Sequence, residues 1–287
     1  MRNDFAAFIL THGRASSVVT HRTLERCGYT GKLFYLVDDE DKQIDEYKRQ
    51  FGKQVCVFSK SDAAKQCDSG NNYGRRNSIL FARNACFDVA RQLGLKYFWE
   101  LDDDYTQFSW TCNLRGEYFV RSIRHLDKVL EACVQFLEDS NALTVAFAQG
   151  GDFIGGGEGQ YAEFAANGEF TRKAMNSFIC DVDRPIRFRG VFNEDVSTYV
   201  ESGRQGNLFI TIPRLRIQQK ATQSQAGGIT ELYLDCGTYV KAFSTVMYAP
   251  SCTKVSTMGS KFRRIHHQIR WANVSPKIIS ELHKKAS

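Results

Sequence analysis

The first hundred residues alternate short apolar runs with helical patterns, and this alternation restricts the fold more than any other feature. Phe5 to Thr11 is an apolar run of buried-strand type, Lys32 to Val37 is a second and Gln54 to Phe58 a third. Lys96 to Leu101, rich in aromatic residues, is a fourth. Between them the pattern predicts a helix from Ser17 to Cys27 capped by Ser16 or Ser17, a helix running to Phe51, and a short helix near Ala63 to Cys67. Apolar residues at 79, 82, 86, 89 and 93 then mark one stripe of a helix from Arg76 to Leu93, closed by Gly94. This order predicts an α/β fold, a mainly parallel central sheet with helices on both faces. Ligands of such sheets sit beyond the carboxyl ends of the strands, where Thr11–Arg14, Asp38–Glu40 and Asp102–Asp104 fall.

The second half is less regular. Phe108–Cys112 and Glu117–Val120 read as a hairpin, a small antiparallel region, and Ile123 to Leu137 has helical spacing. Leu143–Ala148, Ser177–Val182, Ile186–Arg189 and Asn207–Gln218 read as strands; Asn193–Gly203, Ile229–Phe243 and Pro276–Lys285 read as helices. The glycine-rich run at 150–160 lacks the Gly-Lys-Ser/Thr ending of a phosphate loop and reads as a connection or lid. No repeat or linker interrupts the chain, so one domain over 1–287 is expected.

Composition narrows the class. A hydrophobic content of 43% with only 4 prolines excludes a disordered tail. No apolar run approaches the ~20 residues of a membrane span, and the first is too short for a secretion signal. The 9 cysteines are odd in number and form no Cys-x-x-Cys pair, which points to reduced thiols in a cytoplasmic protein and away from zinc. The net charge of +6 is uneven: from Lys254 onward there are eight Lys or Arg and one acid, Glu281. A basic end on a near-neutral body fits a polyanionic partner or a solubilising tail.

Asp102, Asp103 and Asp104 carry the chemistry. Three adjacent carboxylates repel one another, and a hard divalent cation, Mn²⁺ or Mg²⁺, is the simplest reason for them; the alternative is a polar turn. Upstream stand Ala82-Arg83-Asn84 and Gly94, and with the strand and Leu101-Asp102-Asp103-Asp104 they resemble the pattern of GT-A glycosyltransferases. FILTHGR (8–14), KLFYLVDDEDKQIDEYKRQFG (32–52), RGVFNEDVSTYV (189–200) and a late histidine-bearing segment extend the likeness. Over most of its length the chain resembles the TET/JBP-associated glycosyltransferase family.

That resemblance implies a Rossmann-like GT-A fold, with residues 1–105 binding a nucleotide sugar and 106–287 an acceptor. It implies transfer of a sugar, UDP-linked by expectation, to a 5-hydroxymethylpyrimidine in phage DNA, in the host cytoplasm. In the family pattern the first Asp faces the ribose and the last holds the metal, so Asp102 and Asp104 are metal candidates and Asp103 can serve either role. Thr11, His12 and Arg14 would border the nucleotide. Asp38 and Asp39 would accept from the uracil imide or ribose. Arg76 and Arg83, seven apart on one helical face, would contact the diphosphate or form structural salt bridges. Asp195, with Glu194 as alternate, would take the acceptor's proton, unless both acids merely suit a helix start. His266 or His267 would complete the metal shell; strand alternation sends them to opposite faces, so one at most serves. Arg214, Arg216, Lys261, Arg263 and Arg264 would contact DNA phosphates, with the target base flipped out of the stack. The rival readings are a protein, lipid or glycan acceptor, a nucleotidyltransferase, and a non-catalytic DNA-binding protein.

Overall fold

Alternation along the first strand decides the layering. β1 (Phe5–Leu10) is buried at every position, with Ala6, Phe8 and Leu10 in one core and Phe5, Ala7 and Ile9 in the other. A strand covered on both faces reads as a continuous apolar run, as this one does. The computed structural model describes residues 1–70, 74, 76–153, 155–220, 239–258 and 263–274.

Around β1 lie β2 (Lys32–Asp38), β3 (Val55–Phe58) and β4 (Tyr97–Asp102), all parallel to it or to each other, in the order β3-β2-β1-β4. The same sheet continues through β8 (Ser177–Asp181), β7 (Thr144–Gln149), β9 (Phe209–Gln219), β5 (Tyr105–Cys112) and β6 (Tyr118–Ser122). In this second part only β7 and β9 pair in parallel; the antiparallel region is wider than a single hairpin and belongs to the main sheet.

One face carries α4 (Leu80–Gln92) and α7 (Glu194–Arg204), whose Phe81, Cys86, Phe87, Val196 and Val200 pack onto β1 and β4. Phe8 stacks on Phe98 at 5.3 Å and Phe87 meets Phe98 edge-on at 4.9 Å. Each such fully buried ring contributes about 2–3 kcal/mol. The other face carries α1 (Thr20–Arg26), α2 (Ile44–Phe51) and α5 (Leu126–Ser140), with Leu24, Tyr47, Leu126, Leu130 and Leu137 buried. The remaining elements are α3 (Lys60–Lys65), α6 (Gln160–Asn167), α8 (Tyr239–Tyr248), the antiparallel pair β10 (Thr253–Met258) and β11 (Arg264–Ile269), and α9 (Trp271–Val274). Among the described residues, no helix is long and apolar enough to cross a membrane. The eight described cysteines are free thiols.

Several elements differ from the sequence expectation. The helix expected from Arg76 starts at Leu80 instead, because the Ser78 hydroxyl accepts from Leu80 N and donates to Val191 O. A hydroxyl that bonds the backbone in this way competes with the first turn. Arg76 and Arg83 therefore do not share a helical face. The first helix begins at Thr20, not Ser17, and its leading amides, Val19 N and Thr20 N, are accepted by Asp103 O at 2.9 and 3.3 Å, not by a serine cap. Ile186–Arg189 is no strand: Phe188 N and O bond the Asn84 side chain at 3.1 and 3.0 Å, which takes the groups a ladder would use. The 150–160 run forms two 3-10 turns leading into α6. Most of the expected Ile229–Phe243 helix, and all of Pro276–Lys285, lie outside the described residues; α8 covers the end of the former.

Candidate active site

Register places the site. Leu10 pairs with Asp102 and Asp38 with Phe58, so the ends of β1, β2, β3 and β4 form one edge. Thr11–Arg14, Asp38–Asp41, Lys60 and Asp102–Asp104 meet there.

The period of two along β4 then divides the acids. Phe98 belongs to the α4 core and Tyr97, Trp99 and Leu101 to the other, so Glu100 and Asp102 turn toward α4 while Asp103 turns away. On the α4 side waits Arg83, 1% exposed in its side chain. Its guanidinium lies 3.4 Å from Glu100, 3.4 Å from Asp102 and 3.2 Å from Glu194, and 4.9 Å from the Phe178 ring centroid. One cation thus faces three carboxyls. Burial pushes Glu100 and Asp102 up to about 8 despite Arg83, and pushes Glu194 up as well, with Asp195 beside it adding to the effect. Glu100 Oε1 is buried without a hydrogen-bond partner. The excess carboxyls hold protons near neutral pH unless a cation displaces them.

Asp103 closes a different network. Thr11 Oγ1 donates to Asp103 Oδ2 at 2.7 Å, Tyr47 Oη lies 2.9 Å from Thr11 Oγ1, and Arg14 N donates to Tyr47 Oη at 2.8 Å. Arg14 Nη1 adds an ion pair to Asp103 Oδ1 at 3.3 Å, while Arg14 Nε is buried without a partner. Burial still leaves the Asp103 carboxyl raised. Asp104 has no side-chain partner among the described residues; burial, then the charge of Asp103, push it up to about 6. Its main-chain oxygen accepts from Lys220 N at 3.3 Å.

At the end of β2, Asp38 lies 2.6 Å from His12 Nδ1 and 3.2 Å from Lys60 Nζ. Burial alone would raise this carboxyl, but the two partners outweigh it and hold it below its ordinary value. Asp39 accepts from Lys60 N at 2.9 Å, and Asp41 accepts from Gly13 N at 2.7 Å. Gly13 takes φ +65°, a conformation that suits glycine and lets the loop turn its amide onto Asp41. Arg76 pairs with Glu40 at the surface.

α7 opens on Glu194 and Asp195, both buried, in the first turn, where the helix dipole favours acids. Asp195 Oδ1 accepts from Val196 N at 2.7 Å. Asn193, at φ +51°, precedes them and donates to Lys241 O at 2.8 Å and Thr245 Oγ1 at 3.1 Å. Its Nδ2 also lies 3.3 Å from His267 Nδ1, a third neighbour for a group with two protons. Burial, helped by His266 and Lys241, pushes His267 down to about 4, so it is neutral. His266 and His267 do not point to opposite faces: their rings stack at 4.3 Å, in a two-stranded ribbon free to twist more than a wide sheet.

The residues expected on DNA are scattered. Arg214 donates to Ala165 O and Ala166 O at the end of α6, and Arg216 bonds Gln218 and covers the Phe153 ring. Arg263 is exposed; Lys261 and the side chain of Arg264 lie outside the described residues. Glu100, Tyr47 and Lys60 belong to no motif that marks them. Alternation from Asp102 does mark Glu100, as a lone acid within an apolar strand on the same face.

Among the described residues, no three His, Cys, Asp or Glu side chains are grouped so as to hold a metal ion, so the histidine pair His266 and His267 does not join Asp102 and Asp104 as expected. The acids nonetheless fit a divalent ion of the kind bound through one or two carboxylates, the rest of its shell coming from phosphate oxygens and water. Asp104 makes no ion pair among the described residues, and Asp102 holds Arg83 through one oxygen only.

The model of the family described as TET-Associated Glycosyltransferase matches residues 5–228. The chain belongs to the TET-Associated Glycosyltransferase family. As a member it is a glycosyltransferase, and the match takes in every strand of the nine-stranded sheet. No curated protein sequence matches it. Among solved structures it is similar to glucosyl-3-phosphoglycerate synthase from Mycobacterium tuberculosis in complex with Mg²⁺ and UDP, at TM-score 0.48 and 9% identity, over 93% of this chain and 88% of that one. It is also similar to the mannosyltransferase PcManGT from Pyrobaculum calidifontis with GDP-Man and Mn²⁺, at TM-score 0.42 and 11% identity, over 86% and 74%.

Proposed function

We propose that this TET-associated glycosyltransferase moves a sugar from a nucleotide-diphosphate donor, UDP-linked, to a 5-hydroxymethylpyrimidine in DNA, with a divalent cation and with inversion. The observation that carries the reading is the convergence of Asp102, from the acid triplet, with Glu194, from the start of α7, around Arg83. Residues 92 positions apart in sequence share one guanidinium, so a donor side and an acceptor side are fastened to each other. Mn²⁺ or Mg²⁺, held by Asp104 and Asp102, would offset the charge that grows on the departing diphosphate. Arg14 and His12 border the space beyond β1, where a nucleotide would lie, and Asp38 and Asp39 line its neighbour. Asp195 takes the proton of the acceptor hydroxyl, and Arg83 keeps Glu194 beside it in place. The family description and the basic residues after Lys254 support a DNA acceptor over a protein, lipid or glycan.

The test is intact-mass analysis of oligonucleotides carrying hydroxymethylcytosine or hydroxymethyluracil, incubated with a panel of nucleotide sugars and Mn²⁺. The expected result is a sugar-sized gain that disappears in Asp104→Ala. No gain on either oligonucleotide, with sugar nucleotide consumed on another acceptor, refutes the DNA reading. A retained anomeric configuration in the product refutes inversion.

A further inference from the structure

A second concave site lies at the other end of the sheet. Asp181, the last residue of β8, pairs with Tyr97, five residues from Asp102 and roughly 17 Å along the strand. Beyond it, the segment 184–189, the carboxyl half of α7 and the residues leading into β7 and β9 enclose a groove of about 480 Å³. Its volume is that of a small-molecule site.

The lining is rich in cationic donors and poor in anions. Arg184, Arg187 and Arg189 all contribute to it, against one carboxylate, Glu201. Arg189 pairs with Glu201, and Arg184 reaches Asp181 at 3.2 Å and Leu137 O at 3.3 Å. Arg184 Nη1 is itself buried, and the exposed Arg187 has no ion pair among the described residues. The Thr198 hydroxyl accepts from Arg189 N at 3.1 Å, which leaves its own proton to donate. Leu143 and Pro185 supply an apolar wall. An anionic oxygen suits a lining that holds more guanidinium groups than carboxylates. A bare anion would leave the apolar wall and most of the volume unused.

We propose that this groove binds an organic phosphate of nucleotide size, its phosphate on the exposed Arg187 with Arg184 beside it in the lining and its ring against Leu143 and Pro185. The phosphate belongs either to a free nucleoside monophosphate or to a nucleotide within a DNA strand. The site is separate from the donor site and does not depend on the activity proposed above.

The experiment is isothermal titration of the full chain, in EDTA, with uridine monophosphate, with a short single-stranded deoxyoligonucleotide and with inorganic phosphate. Saturable binding of either nucleotide probe, equal in wild type and Asp104→Ala and at least about tenfold weaker in Arg187→Glu, supports the site. Binding of the monophosphate identifies the free nucleotide as ligand, and binding of the oligonucleotide alone identifies the strand. Arg184 also holds Asp181 and Leu137, so Arg187→Glu, at an exposed position, keeps the test independent of folding. The proposal is overturned if neither nucleotide probe binds, if Asp104→Ala abolishes binding while Arg187→Glu keeps it, or if inorganic phosphate binds as tightly as the monophosphate.

Discussion

Replacing Arg83 by methionine removes one buried charge while keeping most of the side-chain volume. The guanidinium faces Glu100, Asp102 and Glu194 at 3.2 to 3.4 Å, and its single charge balances one of them as carboxylate. Without it that group must take up a proton against its ordinary value, 4.5 for a glutamate. At pH 7.5 the protonation costs about 1.4 kcal/mol for each of roughly three pH units, or about 4 kcal/mol. At pH 5 the same step costs less than about 1 kcal/mol. Loss of the cation over the Phe178 and Phe188 rings, at 4.9 and 5.8 Å, adds about 1 kcal/mol at either pH. Arg83→Met should therefore destabilise the metal-free protein by about 4–5 kcal/mol at pH 7.5 and by about 1–2 kcal/mol at pH 5, within the 3–5 kcal/mol typical of a broken buried pair. Urea unfolding of both proteins at the two pH values in EDTA measures this. A loss below about 1 kcal/mol at pH 7.5, or the same loss at both pH values, refutes the charge count.

Three further outcomes follow from the same cluster. Glu100 and Asp102 stand at about 8 in the folded chain against ordinary values of 4.5 and 3.8, so the folded state binds their protons more tightly. Their contribution to stability is complete below about pH 4 and is lost as pH rises to about 8; unfolding in EDTA should show wild-type stability falling through that window, and saturating Mn²⁺ should flatten the fall, whereas a rise would contradict it. Asp102 stands at about 8 and Asp104 at about 6, and both must release a proton to hold the ion, so Mn²⁺ affinity measured by titration should drop about tenfold per pH unit between pH 8 and 6 and about 100-fold per unit below pH 6; Asp104→Ala should return the lower slope to about tenfold and remove at least about 100-fold of the transfer rate. Asn193→Ala loses the bonds to Lys241 O and Thr245 and keeps a β-carbon at φ +51° without the short polar side chain that suits asparagine to that conformation, so thermal melting should show a loss of about 2 kcal/mol. Asn193→Gly relieves the backbone share, and if it melts no higher than Asn193→Ala the left-handed strain is not part of the cost.

The sequence by itself determined the strands of the first half and the place of the acids. Apolar runs of four to seven residues, separated by helical stripes, leave a strand–helix repeat few alternatives, and β1, β2, β3 and β4 lie where those runs do. The adjacency of Asp102, Asp103 and Asp104 at a strand end is likewise local information. The partners of those acids are not. Helix stripes in the sequence do not say that α4 and α7 cover the same face, and only that packing brings Arg83 to Glu194. Period-two alternation separates Asp102 from Asp103, but the loop after β1 and the hydroxyl of Tyr47 decide what Asp103 meets. Ser78 delays the start of the expected helix because its hydroxyl meets Val191 O, a group 113 residues away in sequence. Hydrophobic periodicity is written residue by residue; the balance of buried charges depends on which layers face each other, and that is settled when the chain packs.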